Sequence, residues 1–337
     1  MITTRRSALS ISHKSMENYP MNQIKLPYIS LDMPNEAYHR GEWQKEFVSS
    51  TTLKNFLVSP KYFKYALTNP HQIGLAASQE GSLYHSMLES IANTGSIDEI
   101  YKEFFVFAPP VNPKTGEVYG KATKAYTEAY NEQMEANCGK TPVSEEDIQN
   151  TYNMVNALLN DCGNVSEMVG IFLENGTPEV SFFAEYEGCK FKFRTDISTS
   201  KKIIDWKTIS ADDLHQDTIA RQISKMNYGF SAAFYQFFCY QVTGQWKEFY
   251  WVFQQKSAPY DAVVVSADDW AYSVDYTGTL VKGPSAIEFE NVLEQYIQCA
   301  KDNKFPGAES MVEPVMGEYR IMYTCPNYKR NSIINFY

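Results

Sequence analysis

The residues best suited to chemistry are Asp196 and, nine positions later, Asp205-Trp206-Lys207. If the segments around them are adjacent paired strands, Asp196 and Asp205 could point to one side. Asp205 and Lys207 share a face within their own strand, because side chains alternate with period two. Two carboxylates and an amine would then converge. Carboxylate oxygens suit hard cations such as Mg²⁺. Such an ion can polarise a phosphodiester and acidify a water, and the lysine can position that water or stabilise developing charge. An Asp-x-Lys tripeptide by itself usually marks a solvated strand edge. Here Ile203-Ile204 before it and Ile209 after it indicate a buried strand, where charges need partners or a metal.

Three further groups could join this centre. His85 sits in Gly81-Ser82-Leu83-Tyr84-His85 with Glu89 four residues on, on one helical face. A lone helical histidine is more often structural than a ligand. His13, His39, His71 and His215 have no comparable context and are read as structural. Glu179, at the start of a strand, is either a further acidic ligand or an exposed edge residue, and the edge reading is slightly favoured. Tyr228, Ser231 and Tyr235 share one helix face, which serves either as an aromatic core stripe or as the wall of a substrate cleft; spacing does not choose.

The elements that must position these groups can be read from periodicity and punctuation. Residues 1–47 lack clear periodicity and read as an irregular arm. A helix starts at Ser49–Ser50, and Ser59-Pro60 reads as an N-cap followed by proline at the first helical position. Residues 81–91 form a helix with Leu83, Met87, Leu88 and Ile91 as its apolar stripe. Helices are expected over 121–137 and over 144–160, the second capped by Ser144 with acidic residues in its first turn. After Gly176 the pattern changes to strands at 178–186, 190–197 and 202–208, the first two joined by a tight turn at Glu187-Gly188. A helix over 219–242 ends at Gly244. Strands at 247–254 and 260–265 and an amphipathic helix at 284–303 follow, and 304–337 is an irregular tail. This order gives one α/β domain, 48–303, with a helical part (48–175) before the catalytic sheet and its flanking helices (176–303).

Composition limits the alternatives. The 337 residues are 44% hydrophobic and 15% aromatic, enough for a sizeable core and unlike a disordered chain. No run of about 18 apolar residues suggests a membrane span, so no membrane is expected as a partner. The two early arginines are not followed by a signal-like apolar stretch. The six cysteines are widely spaced with no CxxC, which argues against a zinc ribbon and gives no support for an iron–sulfur cluster. Reduced thiols in a cytoplasm are the default. The net charge of −10 counts against binding nucleic acid, where a basic protein is the usual expectation. Two points soften this. A metal site needs carboxylates, and Lys190, Lys192, Arg194, Lys201, Lys202 and Lys207 lie near the centre in sequence.

Gly81…His85, Arg194-Thr195-Asp196, Ile204-Asp205-Trp206-Lys207-Thr208 and Ser231…Tyr235 occur in an order that resembles the RecE-type exonuclease (exonuclease VIII) family, in the RecB-like branch of the PD-(D/E)XK nucleases. The upstream SSTTLKNFLVSPKYFKYAL and the later FQQKSAPYDAVVV look like further parts of that pattern, so the resemblance spans roughly 48–303. It implies a PD-(D/E)XK nuclease-like mixed central sheet flanked by helices, with a helical N-terminal elaboration. It implies Asp196 and Asp205 as metal ligands with His85 contributing, Lys207 as the catalytic lysine, and Tyr235 in support. It implies Mg²⁺, with Mn²⁺ as a substitute, and a ring-like homo-oligomer in a bacterial cytoplasm. The substrate would be double-stranded DNA ends, in phage or prophage recombination beside a single-strand annealing protein. The sequence departs from the family pattern at Ser231, where glutamine is usual. Serine cannot make the amide's two-ended contact, and Gln236, a possible substitute, lies on another part of the helix. The competing readings are another nuclease of this fold, endonucleolytic or single-strand-specific, and a non-catalytic binding relative.

Overall fold

The computed structural model describes residues 25–39, 41–69 and 75–308. In chain order the elements are β1 (Tyr28–Ser30), α1 (Asn35–Tyr38), α2 (Gly41–Glu46), α3 (Ser50–Lys54), α4 (Pro60–Thr68), α5 (Leu75–Thr94) and β2 (Phe104–Val106). Next come α6 (Lys124–Ala136), β3 (Thr141–Val143), α7 (Glu145–Asn160), α8 (Asn164–Asn175), β4 (Thr177–Tyr186), β5 (Cys189–Ser198) and β6 (Lys202–Ile209). The chain continues with α9 (Gln216–Met226), α10 (Tyr228–Thr243), β7 (Glu248–Gln255), β8 (Ala262–Ser266), β9 (Tyr272–Val274), β10 (Leu280–Lys282) and α11 (Pro284–Lys301).

Local signals account for many of these boundaries. Ser49 and Ser59 cap α3 and α4, accepting hydrogen bonds from the amides of Thr52 and Tyr62, and Pro60 opens α4. Ser144 and Asp147 form a reciprocal capping box on α7. The hairpin turn at Glu187 and Gly188 has positive φ at both residues (51° and 79°), as a two-residue connection between twisted strands requires.

The six-stranded sheet runs β1-β4-β5-β6-β7-β8. Its pairs are antiparallel except β6 and β7, which run parallel because the α9–α10 crossover joins them. Helices cover both faces. On one, Phe182, Phe191, Phe193, Ile203, Trp251 and Phe253 pack against α3, α4, α10 and α11. On the other, Ile197, Ile204, Trp206 and Val252 pack against α5, α7 and α8. Strand β6 shows the division cleanly: Ile203 and Ile209 belong to the first core, Ile204 and Trp206 to the second.

Several elements differ from the sequence expectation. Residues 28–39 and 41–46 are not irregular: β1 extends the sheet beside β4, and Met33, Ala37, Tyr38, Trp43 and Phe47 close a third core on Phe183. The expected helix 219–242 is two helices, broken where Asn227 adopts the left-handed conformation (φ 50°). Helix α8, the parallel pair β2–β3 and the hairpin β9–β10 are additional. Residues 1–24 of the arm and 309–337 of the tail lie outside the described residues, as do His13 and the backbone of His71.

Candidate active site

Two irregularities in adjacent strands create the site. The register of β4 with β5, Pro178 opposite Ile197 and Val180 opposite Thr195, leaves Glu179 across from Asp196. Glu179, near the start of β4, has φ 50°, a left-handed conformation that costs a non-glycine residue about 1–3 kcal/mol. Phe193 and Ile197, four residues apart, would share a face in a regular strand, yet they fall in different cores. The alternation therefore slips in the stretch that holds Asp196.

The next seam is equally unusual. β5 and β6 pair only through Ile197–Ile204 and Ser198–Ile203. One step further the same register would set Asp196 against Asp205, but the ladder stops. The backbone amide of Trp206 donates instead to Asp196 Oδ2 at 2.6 Å. A side-chain carboxylate thus replaces a main-chain acceptor, and three carboxylates fall in one row across β4, β5 and β6.

Helix α5 brings His85 to this row. Leu83, Tyr84, Met87 and Leu88 bury its apolar stripe and leave His85 Nδ1 3.4 Å from Asp196 Oδ1. One ligand atom from each of His85, Glu179 and Asp196 lies within 4.8 Å of the others. Asp205 stands beside this group, its Oδ2 2.5 Å from Lys207 Nζ, and Lys207 also donates to the Trp206 carbonyl at 3.2 Å. The structure thus brings His85, Asp196, Asp205 and Lys207 together. Glu179 is no exposed edge residue: its side chain is 24% exposed and faces the cluster.

The charges are strongly coupled. Burial, reinforced by Asp196, pushes Glu179 up to about 8 against the pull of Arg194. Burial opposes the charged forms of Asp196 and His85 as well, but their mutual attraction prevails: Asp196 is lowered and His85 raised. Burial also opposes the Lys207 ammonium, and the carboxylates of Asp205 and Asp196 overcome it and raise Lys207. Two carboxylates and an imidazole with ligand atoms within 4.8 Å of one another are a donor set that fits a divalent cation, which would displace the proton on Glu179.

The cluster opens into a cleft of about 1370 Å³. Its lining includes His85 with the acidic Glu89, Glu103, Glu179 and Asp196, the basic residues Lys45, Lys64, Lys192 and Arg194, and Tyr235; Arg194 stands 3.5 Å from Glu179. Tyr235 packs on Phe193 at 4.9 Å. Burial raises its hydroxyl pKa well above the ordinary value, with the nearby Ser50 side chain pulling the other way. Core packing and cleft lining are therefore both true of this tyrosine. Gln236 does not stand in for an amide at Ser231. It is buried, donating to the carbonyls of Lys247 and Tyr272 and accepting from the Tyr272 amide.

Proximity in sequence overstated the basic patch. Lys192 and Arg194 reach the cleft and stack on the Tyr38 ring, each at 4.3 Å. Lys190 and Lys202 instead pair with Glu46 and Glu248. Lys54, which no sequence signal singled out, approaches the site from α3. Burial and then the neighbouring Lys207 lower its pKa to about 8. Only tertiary packing could reveal it, because α3 is far from β6 in sequence.

Residues 49–313 match the family described as PDDEXK-like domain of unknown function (DUF3799). The chain belongs to this PDDEXK-like family. The crystal structure of a "Putative exonuclease" from Eubacterium rectale is similar at a TM-score of 0.50 and 16% identity, covering 89% of this chain and 98% of that one. At that identity the likeness is one of fold: a mixed, mostly antiparallel sheet with flanking helices, as in PD-(D/E)XK nucleases. No curated protein matches. Among the described residues, no helix of this PDDEXK-like chain is long and apolar enough to cross a membrane.

Proposed function

We propose that the protein is a divalent-metal-dependent exodeoxyribonuclease acting on the ends of double-stranded DNA. The observation that carries this reading is the convergence of His85, Glu179 and Asp196 beside the Asp205–Lys207 pair. Asp196, Asp205, His85 and Glu179 would hold Mg²⁺, or Mn²⁺ in its place. The ion would supply Lewis-acid charge to the phosphodiester and to the attacking water. Lys207 orients that water or neutralises charge developing on the phosphate. Its neighbour Asp205 keeps the ammonium charged. Tyr235 and Ser50 shape the wall over Asp196. Lys45, Lys64, Lys192 and Arg194 give the cleft a phosphate-attracting part, which reconciles a net charge of −10 with a polyanionic substrate.

The preference for ends, a ring-like homo-oligomer, a role in phage or prophage recombination and an annealing-protein partner rest on the resemblance to RecE-type exonucleases. The deciding experiment incubates end-labelled linear duplex and covalently closed circular duplex in one reaction with Mg²⁺, with and without EDTA. Loss of the linear species alone is expected. Equal loss of both would replace the exonuclease with an endonuclease, and loss of neither, with Mn²⁺ also tried, would leave a non-catalytic binding protein.

A further inference from the structure

We propose that Tyr228 is a positioning residue for Lys207, and that the elbow between α9 and α10 exists to hold it there. The inference rests on the role given to Lys207 above. A lysine side chain is a point charge on a flexible four-carbon stem, so something must fix its ammonium. Among the described residues, three groups meet Lys207 Nζ: Asp205 Oδ2 at 2.5 Å, the Trp206 carbonyl at 3.2 Å and the Tyr228 ring, whose centroid lies 5.1 Å away. Asp205 is also wanted as a ligand, so its carboxylate cannot serve as an undivided anchor. A neutral aromatic face attracts the ammonium without competing for a cation's other ligands, and 5.1 Å is within the range of a cation–π contact.

Tyr228 is itself held from several sides. It is the first residue of α10 and follows Asn227, whose left-handed backbone makes the chain turn between the two helices. Its ring lies 6.1 Å from that of Phe253, and Phe253 is the β7 residue paired with Lys207 across the parallel ladder. The Gln222 side chain of α9 lies near enough to pull the Tyr228 hydroxyl pKa back against burial. The carbonyl of Met226, just before the turn, accepts a hydrogen bond from Lys54 Nζ at 3.2 Å, tying α3 to the same elbow.

The test compares Tyr228→Phe, which keeps the ring, with Tyr228→Leu, which keeps apolar bulk against Phe253 but removes the π face. Position is read without activity, by NMR of the full chain carrying ¹³Cε-lysine, with Lys207 assigned from Lys207→Arg. Lys207 is expected upfield of the other lysines through ring-current shielding in the wild type and in Tyr228→Phe, and to return to the common envelope in Tyr228→Leu. Turnover on linear duplex with Mg²⁺ should fall roughly 10- to 100-fold in Tyr228→Leu, the cost of a slightly misplaced group, with KM unchanged within about threefold, while Tyr228→Phe stays within about threefold of wild type. An unshifted Lys207 in the wild type overturns the proposal. So does a Tyr228→Leu protein with wild-type turnover, or a Tyr228→Phe protein as impaired as Tyr228→Leu. If the wild type cleaves nothing, the nuclease reading fails while the NMR comparison still decides the contact.

Discussion

The two halves of the site solve the same electrostatic problem differently. At Asp205 the chain supplies its own cation, with Lys207 at 2.5 Å. At His85, Glu179 and Asp196 two carboxylates share a small volume with one imidazole, and the excess is absorbed by a proton that stays on Glu179 up to about pH 8. The first half is countered by a fixed ammonium, against which burial still holds the Asp205 carboxyl above its ordinary range; the second is countered by something exchangeable. Asp205 and Asp196 favour the ammonium form of Lys207, while the proton on Glu179 is one that a metal ion could displace.

The strongest way to break this comparison is to remove Asp205. Asp205→Ala deletes both a proposed ligand and the partner of Lys207, so Mg²⁺-dependent cleavage should drop by more than about 1000-fold while circular dichroism shows an intact fold. Full activity in the purified variant would discard the site. Lys207→Ala removes only the fixed cation. Turnover should fall about 100- to 1000-fold, with DNA affinity little changed, since one phosphate contact contributes about one unit to the salt slope of binding. Normal turnover with weak binding would make the lysine an anchor instead.

Metal binding sharpens the other half. Mg²⁺ at 100 times its dissociation constant should stabilise the folded protein by about 2.7 kcal/mol, seen as a rise in Tm that Asp196→Asn abolishes. An equal rise in that variant would place the ion elsewhere. The smallest effect is in the metal-free protein. Glu179 releases its proton near 4.5 when unfolded and near 8 when folded. Between these values the folded state binds the extra proton, so this group's contribution to stability declines as pH rises through that window. Glu179→Gln should therefore be more stable than wild type at pH 9, by on the order of 1–3 kcal/mol, and equal to it near pH 4. Parallel melting curves across pH would remove Glu179 from the account if the two proteins never diverge.

What could be read from sequence follows the range of the interactions involved. Asp205 and Lys207 were visible because a period of two is a local rule and their apolar flanks marked a buried strand. His85 was visible because its helix carries a regular stripe. Nothing in the sequence marks the left-handed backbone of Glu179, so its place beside His85 and Asp196 is not legible from alternation. The break at Asn227 is hidden for a similar reason: its left-handed backbone has no glycine or proline at that position to signal it, and residues 219–242 read as one helix. Lys54 and the Tyr38 ring reach the site only through contacts far apart along the chain, to which periodicity is blind. The wider assignment to PD-(D/E)XK nucleases came from motif order, and the family match supports it over 49–313.

The family match begins at residue 49, but the machinery does not. Arg194 donates to the Met33 carbonyl at 2.8 Å, lies over the Tyr38 ring at 4.3 Å and stands 3.5 Å from Glu179. The first two of those tethers precede the shared segment. A fragment trimmed to the family boundary would uncover Phe183 and release the guanidinium that moderates Glu179. Its affinity for cations would then describe the fragment, not the protein. In this chain the portion that looks dispensable by descent acts as a tuning part, and expression boundaries should be drawn upstream of β1.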